Sequence, residues 1–316
     1  MEEKIKLGIS SCLLGEKVRY DGGHKLDHFL VETLGRNVKW VAVCPEVEYG
    51  LPIPREALRL IGTPEAPRLV TSRTGIDHTD RMREWAKKRL RELEREDLCG
   101  FIFKSKSPSS GMRSVKVYGP SGIPSNRGIG IFARAFMEAY PLIPVEDDGR
   151  LNDPSLRENF IERIFVFKRW KQFKKKGRTI GDLISFHTDH KLSLLSHSPK
   201  HYHELGSLLA KGKAYALQDL YSEYLKKLMN GYKMIATIKK NTNVLQHMMG
   251  YFRAHLSKDE TEELRDVIDE YYKGLIPLIV PIVLISHYVR KYDEPYLKRQ
   301  FYLNPHPTEL MLRNHV

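Results

Sequence analysis

The sequence predicts an α/β N-terminal domain over residues 1–150 and an all-α C-terminal domain over residues 151–316. Short apolar runs alternate with helical segments in the first half, whereas helical spacing of apolar residues dominates the second half. Pro141 and Pro144 precede a polar stretch near residue 150, which is typical of a domain boundary. The length of 316 residues also fits two domains of ordinary size.

The first half contains three strand-like runs, at residues 4–10, 38–43 and 100–104. Helical segments are expected at 26–34, 79–96 and 131–139. Strands that alternate with helices indicate a mainly parallel, Rossmann-like sheet with helices on both faces. Because ligands bind outside the carboxyl ends of such strands, functional residues are expected just after each run.

The second half contains five helical stretches, at residues 156–171, 180–195, 202–229, 232–255 and 259–272. An apolar run follows at 275–285, but it is too short to span a bilayer and Pro277 and Pro281 interrupt it. We therefore expect no membrane association.

Charge and cysteine content narrow the class of protein. Residues 1–150 carry 25 Lys and Arg against 21 Asp and Glu, while residues 151–316 carry 27 against 18. This excess of positive charge in the second half indicates a polyanionic partner. Three cysteines provide no disulfide framework, so a cytoplasmic location is expected.

Cysteine and serine side chains follow the three predicted strands. Cys12 and Cys44 each come just after an apolar run, and the third run leads to the loop Ser107-Pro108-Ser109-Ser110-Gly111. Two thiols and a hydroxyl-rich loop at one sheet edge resemble a metal or cluster site. Cys99 precedes its strand, which places it about 16 Å from the Ser107 loop at roughly 3.3 Å per residue, so we interpret it as a buried structural thiol.

The segments around Cys12, Cys44-Pro45-Glu46 and Ser107–Gly111 resemble those of the TudS-type desulfidases, bacterial iron–sulfur enzymes that remove sulfur from thiouracils. Residues 151–316 resemble the YbgA-like helical domain in two segments, 153–158 and 302–307. Fusion of the two domains is similar to desulfidases of 4-thiouridine in tRNA. The resemblance implies conversion of that nucleoside to uridine, with tRNA as the partner.

The resemblance also implies a 4Fe-4S cluster with three protein ligands, at Cys12, Cys44 and the position of Ser110. It implies catalytic roles for Glu46 and Ser107. Ser110 departs from the family pattern, in which a cysteine is expected at that position. Because a serine alkoxide is a harder and more basic ligand than a thiolate, we expect weak cluster binding and impaired turnover.

A basic stretch in the second half and two residues after the serine loop are candidates for contact with RNA phosphates. They are Lys168, Arg169, Lys171, Lys174, Lys175, Lys176 and Arg178, together with Arg113 and Lys116. Two other functions stay open: a non-catalytic RNA-binding protein that has lost the cluster, and a desulfidase of free thiouracil whose helical domain serves assembly.

Two further patterns have simple structural interpretations. The run Gly128-Ile129-Gly130 has no convincing strand before it, so we interpret it as a glycine turn that opens a helix, with an anion at that helix end left open. Five histidines, His187, His190, His197, His201 and His203, lack nearby cysteines. Core, surface or RNA-stacking roles suit them better than zinc binding.

Overall fold

The computed structural model describes residues 4–314. The chain divides into two compact units, Met1–Asn152 and Asp153–Val316. The first unit is built on sheets, and the described part of the second, residues 153–314, contains helices and no strand. The sequence-based fold class is therefore confirmed.

The central sheet of the first unit has four parallel strands in the order β2-β1-β5-β8. These strands are β1 (Ile5–Ser10), β2 (Val38–Val43), β5 (Phe101–Phe103) and β8 (Val145–Asp147). The chain passes from β1 to β2 on one side and later adds β5 on the other side of β1. Connections that leave in opposite directions create a crevice at the carboxyl ends of β1 and β5.

A second sheet, which the sequence patterns did not reveal, has the order β4-β3-β6-β7. Its strands are β3 (Leu58–Gly62), β4 (Pro67–Thr71), β6 (Val115–Tyr118) and β7 (Pro124–Gly128). β3 and β6 are parallel, and β4 and β7 pair with them as antiparallel edge strands. This sheet buries Leu60, Leu69, Val115 and Val117.

Three helices accompany the sheets: α1 (Pro45–Glu48), α2 (Thr79–Arg95) and α3 (Ile131–Ala139). α2 and α3 pack on the central sheet through Ala86, Leu93, Phe132 and Phe136, against an aromatic layer that includes Phe101. The segment 26–34 is not a regular α-helix as expected. A π-helical turn at Phe29–Thr33 and a 3₁₀ turn at Leu34–Arg36 take its place.

The start of α3 corrects the interpretation of the glycine run. β7 ends at Gly128, so a strand does precede the run, although its sequence is polar and half-exposed. The backbone N–H groups of Gly130 and Phe132 donate to the carbonyl groups of Gly111 and Ser109. A Cβ atom on Gly130 would lie 2.5 Å from the Ser109 backbone, so glycine is required for this close approach. The N-terminus of α3 thus fixes the serine loop and is not free for an anion.

The second unit contains α4 (Pro154–Lys176), α5 (Ile180–His197), α6 (Pro199–Ala210), α7 (Leu217–Tyr232), α8 (Ile238–Met249), α9 (Lys258–Tyr272), α10 (Ile279–Lys291) and α11 (Pro295–Lys298). The stretch expected as one helix at 202–229 is two, separated by a turn at Gly212–Ala214. The stretch expected as one helix at 232–255 begins with the last residue of α7, continues through a loop to α8, and ends in a 3₁₀ turn at Gly250–Phe252. Along residues 4–314, no helix is long and apolar enough to cross a membrane.

The histidines of α5 belong to the protein interior. His187 and His190 are buried; His187 Nδ1 lies 3.1 Å from the Tyr224 hydroxyl, and the His190 ring stacks on Phe186. Burial lowers the pKa of His187 to about 4 and that of His190 to about 3, so both rings are neutral near pH 7. Their packing indicates a structural role.

Candidate active site

The serine loop and both predicted cysteine ligands line one cavity of about 330 Å³ at the carboxyl ends of the central strands. The ends of β1 and β5 are tied together there, because the Lys104 backbone N–H donates to Ser10 Oγ at 2.9 Å. This place is the crevice that the strand order creates. Cys99 lies at the opposite end of the sheet, where its N–H donates to the carbonyl of Lys6 in β1.

The two cysteines reach the cavity from neighbouring strands. Cys12 lies in a 3₁₀ turn directly after β1, and Cys44 precedes α1 directly after β2. Cys44 Sγ is 3.7 Å from Glu46 Oε2 and 3.9 Å from the carbonyl of Val18. Both side chains are almost fully buried in the protein but face the cavity.

Burial controls the protonation of both thiols. Desolvation raises the pKa of Cys12 to about 11, although the nearby Lys104 ammonium opposes this shift. Desolvation, followed by the charge of Glu46, raises the pKa of Cys44 to about 12. Near pH 7 both groups are therefore neutral thiols, and any metal bound through them must displace two protons.

The Ser107–Gly111 loop is organised by the first of its serines. Ser107 Oγ accepts hydrogen bonds from the N–H groups of Ser109 and Ser110, at 3.3 and 3.1 Å. The Gly111 N–H closes the turn on the Ser107 carbonyl at 2.7 Å. Because Ser109 gives its own proton to Glu46, Ser107 is the donor and Ser109 Oγ the acceptor across the 3.0 Å contact between the two hydroxyls.

Glu46 is connected to this loop by Ser109. The Ser109 hydroxyl donates to Glu46 Oε1 at 2.6 Å and lies 3.0 Å from Ser107 Oγ. The other carboxylate oxygen, Oε2, faces Cys44 and lies 4.0 Å from Arg55 Nη2. The two residues predicted as catalytic, Glu46 and Ser107, are therefore linked through a serine to which sequence reasoning assigned no role.

Two cations also line the cavity. Lys104 Nζ forms a half-buried ion pair with Asp148 Oδ2 at 2.7 Å and donates to Ser105 Oγ at 2.9 Å. Arg55 is held by the carbonyl of Val18, which accepts from Nη2 at 2.9 Å. Lys104 follows β5 directly, so its position after a predicted strand was the available sequence signal.

The donor groups fit an iron–sulfur cluster at two of three positions. Cys12 and Cys44 offer thiols to one cavity, as thiolate-held clusters require. Ser110 lines the same cavity with its side chain, which is 3% exposed, and its hydroxyl lies 3.4 Å from Ser109 Oγ. Ser110, the expected third position, therefore presents a hydroxyl to the cavity instead of the thiolate that iron–sulfur clusters prefer.

The basic residues predicted to contact RNA fall into two groups. Lys174, Lys175, Lys176 and Arg178 are exposed at the C-terminal end of α4, and Arg113 and Lys116 are exposed near the serine loop. Lys168, Arg169 and Lys171 are half-buried. The Arg169 guanidinium lies 3.9 Å from the centre of the Phe301 ring, which is typical of a packing contact.

The tryptophan of this stretch is not available to stack on bases. Trp170 is 3% exposed and packs on Phe186, Tyr221 and Tyr224 in the helical core. Contact with RNA by this stretch would therefore involve its exposed basic side chains, not stacking by Trp170.

Known proteins are similar to both halves of the chain. Residues 7–148 match the family model of 2-thiouracil desulfurase, and residues 191–307 match the model of a protein of unknown function, DUF1722. The uncharacterized protein YbgA of Escherichia coli K12 is 34% identical over 153 residues, which are 48% of this chain and 90% of YbgA. The uncharacterized protein YbbK of Bacillus subtilis 168 is 35% identical over 109 residues, 33% of this chain and 71% of YbbK.

Among solved structures, the [4Fe-4S]-dependent thiouracil desulfidase TudS is 31% identical, over 48% of this chain and 94% of TudS, with a TM-score of 0.38. The two family models match separate parts of this chain, one in each compact unit. The chain therefore belongs to the 2-thiouracil desulfurase family through its N-terminal unit and carries a YbgA-like DUF1722 domain in its C-terminal unit.

Proposed function

We propose that this protein is an iron–sulfur desulfidase that converts 4-thiouridine in tRNA to uridine. The observation that carries the proposal is the convergence of Cys12, Cys44, Glu46 and the serine loop on one cavity of about 330 Å³. In overall balance, water supplies the oxygen, the C4–sulfur bond breaks, and sulfur leaves as hydrogen sulfide without net oxidation or reduction. A 4Fe-4S cluster held by Cys12, Cys44 and position 110 would supply a soft Lewis acid for the thiocarbonyl sulfur.

The protein's own groups handle the protons and position the base. Glu46 Oε1 is held by the Ser109 hydroxyl, so the carboxylate is oriented to accept a proton from the attacking water. Ser107 donates its hydroxyl proton to Ser109 Oγ, so two hydroxyls form a hydrogen-bonded chain to Glu46 that can relay a proton. Lys104 and Arg55 place positive charge beside the cavity, where negative charge develops as the C4–sulfur bond breaks.

A nucleic-acid substrate is favoured by the surroundings of the cavity. A second groove of about 600 Å³ borders it and shares Leu58, Lys106 and Pro108 with its lining. Arg59 and Lys116 add positive charge to that groove. A free base would contact only the cavity. In a polynucleotide, the phosphates that flank the base would also bind these cations.

The deciding experiment compares two substrates on the anaerobically reconstituted protein, both unchanged and with Ser110→Cys. We expect the cysteine form to release sulfide faster from 4-thiouridine-containing tRNA than from free thiouracil. Equal or faster turnover of the free base would assign the protein to free thiouracil instead. A full cluster without turnover of either substrate, combined with tight tRNA binding, would favour the non-catalytic RNA-binding alternative.

A further inference from the structure

A second cluster of chemically active side chains lies in the helical unit. Glu158 and Glu162 are one turn apart on α4, which places their carboxylates on the same face of the helix. His306, from the segment after α11, faces both of them. One possible ligand atom from each of the three residues lies within 4.8 Å of the other two.

The His306 ring is oriented as metal-binding histidines are. Its Nδ1 lies 3.1 Å from the carbonyl oxygen of Pro307, and because a carbonyl can only accept, Nδ1 carries the proton. The other nitrogen, Nε2, therefore has its lone pair free in the neutral ring. This atom is buried and, within residues 4–314, has no hydrogen-bond partner. A backbone carbonyl that orients the remote nitrogen is the usual support for a metal-bound imidazole.

The two carboxylates are already held in place by other groups. Arg313 Nε donates to Glu158 Oε1 at 3.2 Å, and its Nη2 donates to Glu162 Oε1 at 2.9 Å. His197 Nε2 is hydrogen-bonded to Glu162 Oε2. These contacts orient both groups, and since a carboxylate has about four lone-pair positions, Glu162 can accept more than the bonds from Arg313 and His197.

The cluster is accessible from a cavity. Glu158 and Glu162 line a space of about 280 Å³ whose other polar walls include Asn159, Thr237 and Asn241. Such a space admits water or a small polar ligand beside the carboxylates. This space belongs to the helical unit and shares no lining residue with the cavity of the serine loop.

We propose that Glu158, Glu162 and His306 bind a divalent transition-metal ion. The ligand set combines two carboxylates with one imidazole, which suits zinc and its neighbours better than magnesium, whose ligands are oxygen atoms. Three protein ligands leave a coordination position that opens towards the polar cavity. Arg313 and His197 act as the surrounding groups that orient the carboxylates.

The test titrates the full-length, metal-free chain with Co²⁺ and records visible absorption together with the thermal midpoint. Cobalt bound only by nitrogen and oxygen gives d–d bands without thiolate charge transfer, so binding at Cys12 and Cys44 is distinguished. We expect one such ion per chain and a rise in the thermal midpoint. His306→Leu and Glu158→Gln should each weaken this binding by at least about tenfold.

His306→Leu is a favourable variant because Nε2 has no partner to lose and only the 3.1 Å contact of Nδ1 with the neighbouring Pro307 carbonyl disappears, so the metal-free protein should unfold close to the wild-type temperature. His203→Ala, an exposed histidine in the same unit, is the matched control and should bind cobalt like the unchanged chain. Absence of nitrogen–oxygen bands in the unchanged chain would overturn the proposal. Equal cobalt affinity in the His306→Leu and Glu158→Gln variants would overturn it as well.

Discussion

The Ser109 hydroxyl donates a 2.6 Å hydrogen bond to Glu46 Oε1, across 63 positions of the chain. Ser109 is fully buried, and its hydroxyl lies 3.0 Å from Ser107 Oγ. One buried serine therefore connects the carboxylate and the hydroxyl that are proposed to move protons. Since Ser109 does not line the cavity, it acts as a positioning residue.

Ser109→Ala, made in the Ser110→Cys form, should lower kcat by about tenfold to a hundredfold and leave KM within about twofold. Loss of the donor leaves Glu46 Oε1 without its orienting partner, while substrate contacts remain. Steady-state sulfide release measures both constants. Ser72→Ala, at an exposed position of the same unit, is the control. Unchanged kcat in the Ser109 variant, at equal iron content, would contradict the positioning role.

Ser110→Cys should raise bound iron from a substoichiometric level to about four per chain, because a third thiolate completes the cluster ligands. Iron and acid-labile sulfide analysis after anaerobic reconstitution measures this change. Ser72→Cys adds a thiol at an exposed site and should leave the iron content as it was. If the unchanged chain already carries a full cluster, the Ser110 hydroxyl or another group serves as the third ligand. The expectation of weak cluster binding would then be wrong.

Metal binding at Cys12 and Cys44 should strengthen steeply with pH. Burial raises the pKa of the two thiols to about 11 and about 12, so both must lose a proton whenever a soft metal binds below that range. For Cd²⁺, which gives a thiolate absorption band, affinity should rise about a hundredfold per pH unit between about pH 6 and 8. In Cys12→Ala the slope should fall to about tenfold. A slope near zero in the unchanged chain would show that the thiols are already ionised.

The same two raised pKa values bear on stability. The folded-state pKa values lie above that of a thiol in the unfolded chain, about 8.5, so the folded metal-free protein retains protons that the unfolded chain has lost. Its unfolding free energy should therefore decline between about pH 8.5 and 11, by up to about 1.4 kcal/mol per pH unit for each thiol. Urea unfolding at several pH values measures this decline. The Cys12→Ala, Cys44→Ala double variant should show a flatter profile.

Much of the central sheet could be predicted because its buried strands are almost continuously apolar. β2 was expected at 38–43 and spans Val38–Val43, and α3 was expected at 131–139 and spans Ile131–Ala139. β7 was missed because its sequence, Pro-Ser-Asn-Arg-Gly, has no apolar alternation and its pairing with β6 determines its conformation. The pattern of apolar residues therefore predicted a strand only where burial requires apolar side chains.

The candidate site shows the same limit. Cys12 and Cys44 could be placed together because parallel strands present their carboxyl ends at one edge. The bond between Ser109 and Glu46 could not be predicted, since it depends on how the start of α3 fixes the serine loop. Similarly, Glu162 lies near the start of the helical unit's sequence and Arg313 near its end, so no local sequence pattern indicates that they form an ion pair.

Arg313→Met should destabilise the protein by about 3–5 kcal/mol, because it leaves Glu158 and Glu162 buried without the guanidinium that contacts both. Arg313 also donates to the Tyr302 carbonyl at 2.6 Å, so three acceptors lose their donor together. Urea unfolding followed by the circular dichroism signal of the helices measures the change in unfolding free energy. Arg290→Met, at an exposed position on α10, should change the unfolding free energy by less than about 0.5 kcal/mol. Similar stability of both variants would show that the carboxylates are neutralised by another group.

Replacing Lys174, Lys175 and Lys176 by alanine should weaken tRNA binding and make it less dependent on salt. These side chains are exposed at the end of α4, whereas Lys168, Arg169 and Lys171 are half-buried against the helical unit. Each lost phosphate contact should reduce the slope of log affinity against log salt by about 0.7–0.9, so three contacts would reduce it by about 2–3. Fluorescence anisotropy with labelled tRNA at several salt concentrations measures the slope.

The matched control for that variant removes two exposed lysines from α2, Lys87 and Lys88, and should leave the slope within about one unit of the wild-type value. Because both variants lower the net charge of the chain, a general electrostatic effect would weaken binding in proportion to the charge removed. A selective loss in the α4 variant would instead locate the RNA-binding surface at the C-terminal end of α4. If tRNA affinity falls in proportion to the charge removed in both variants, the basic stretch contributes only to the general positive potential of the chain. The tRNA-binding surface would then lie elsewhere, and Lys106 and Lys116 beside the serine loop would be the next candidates.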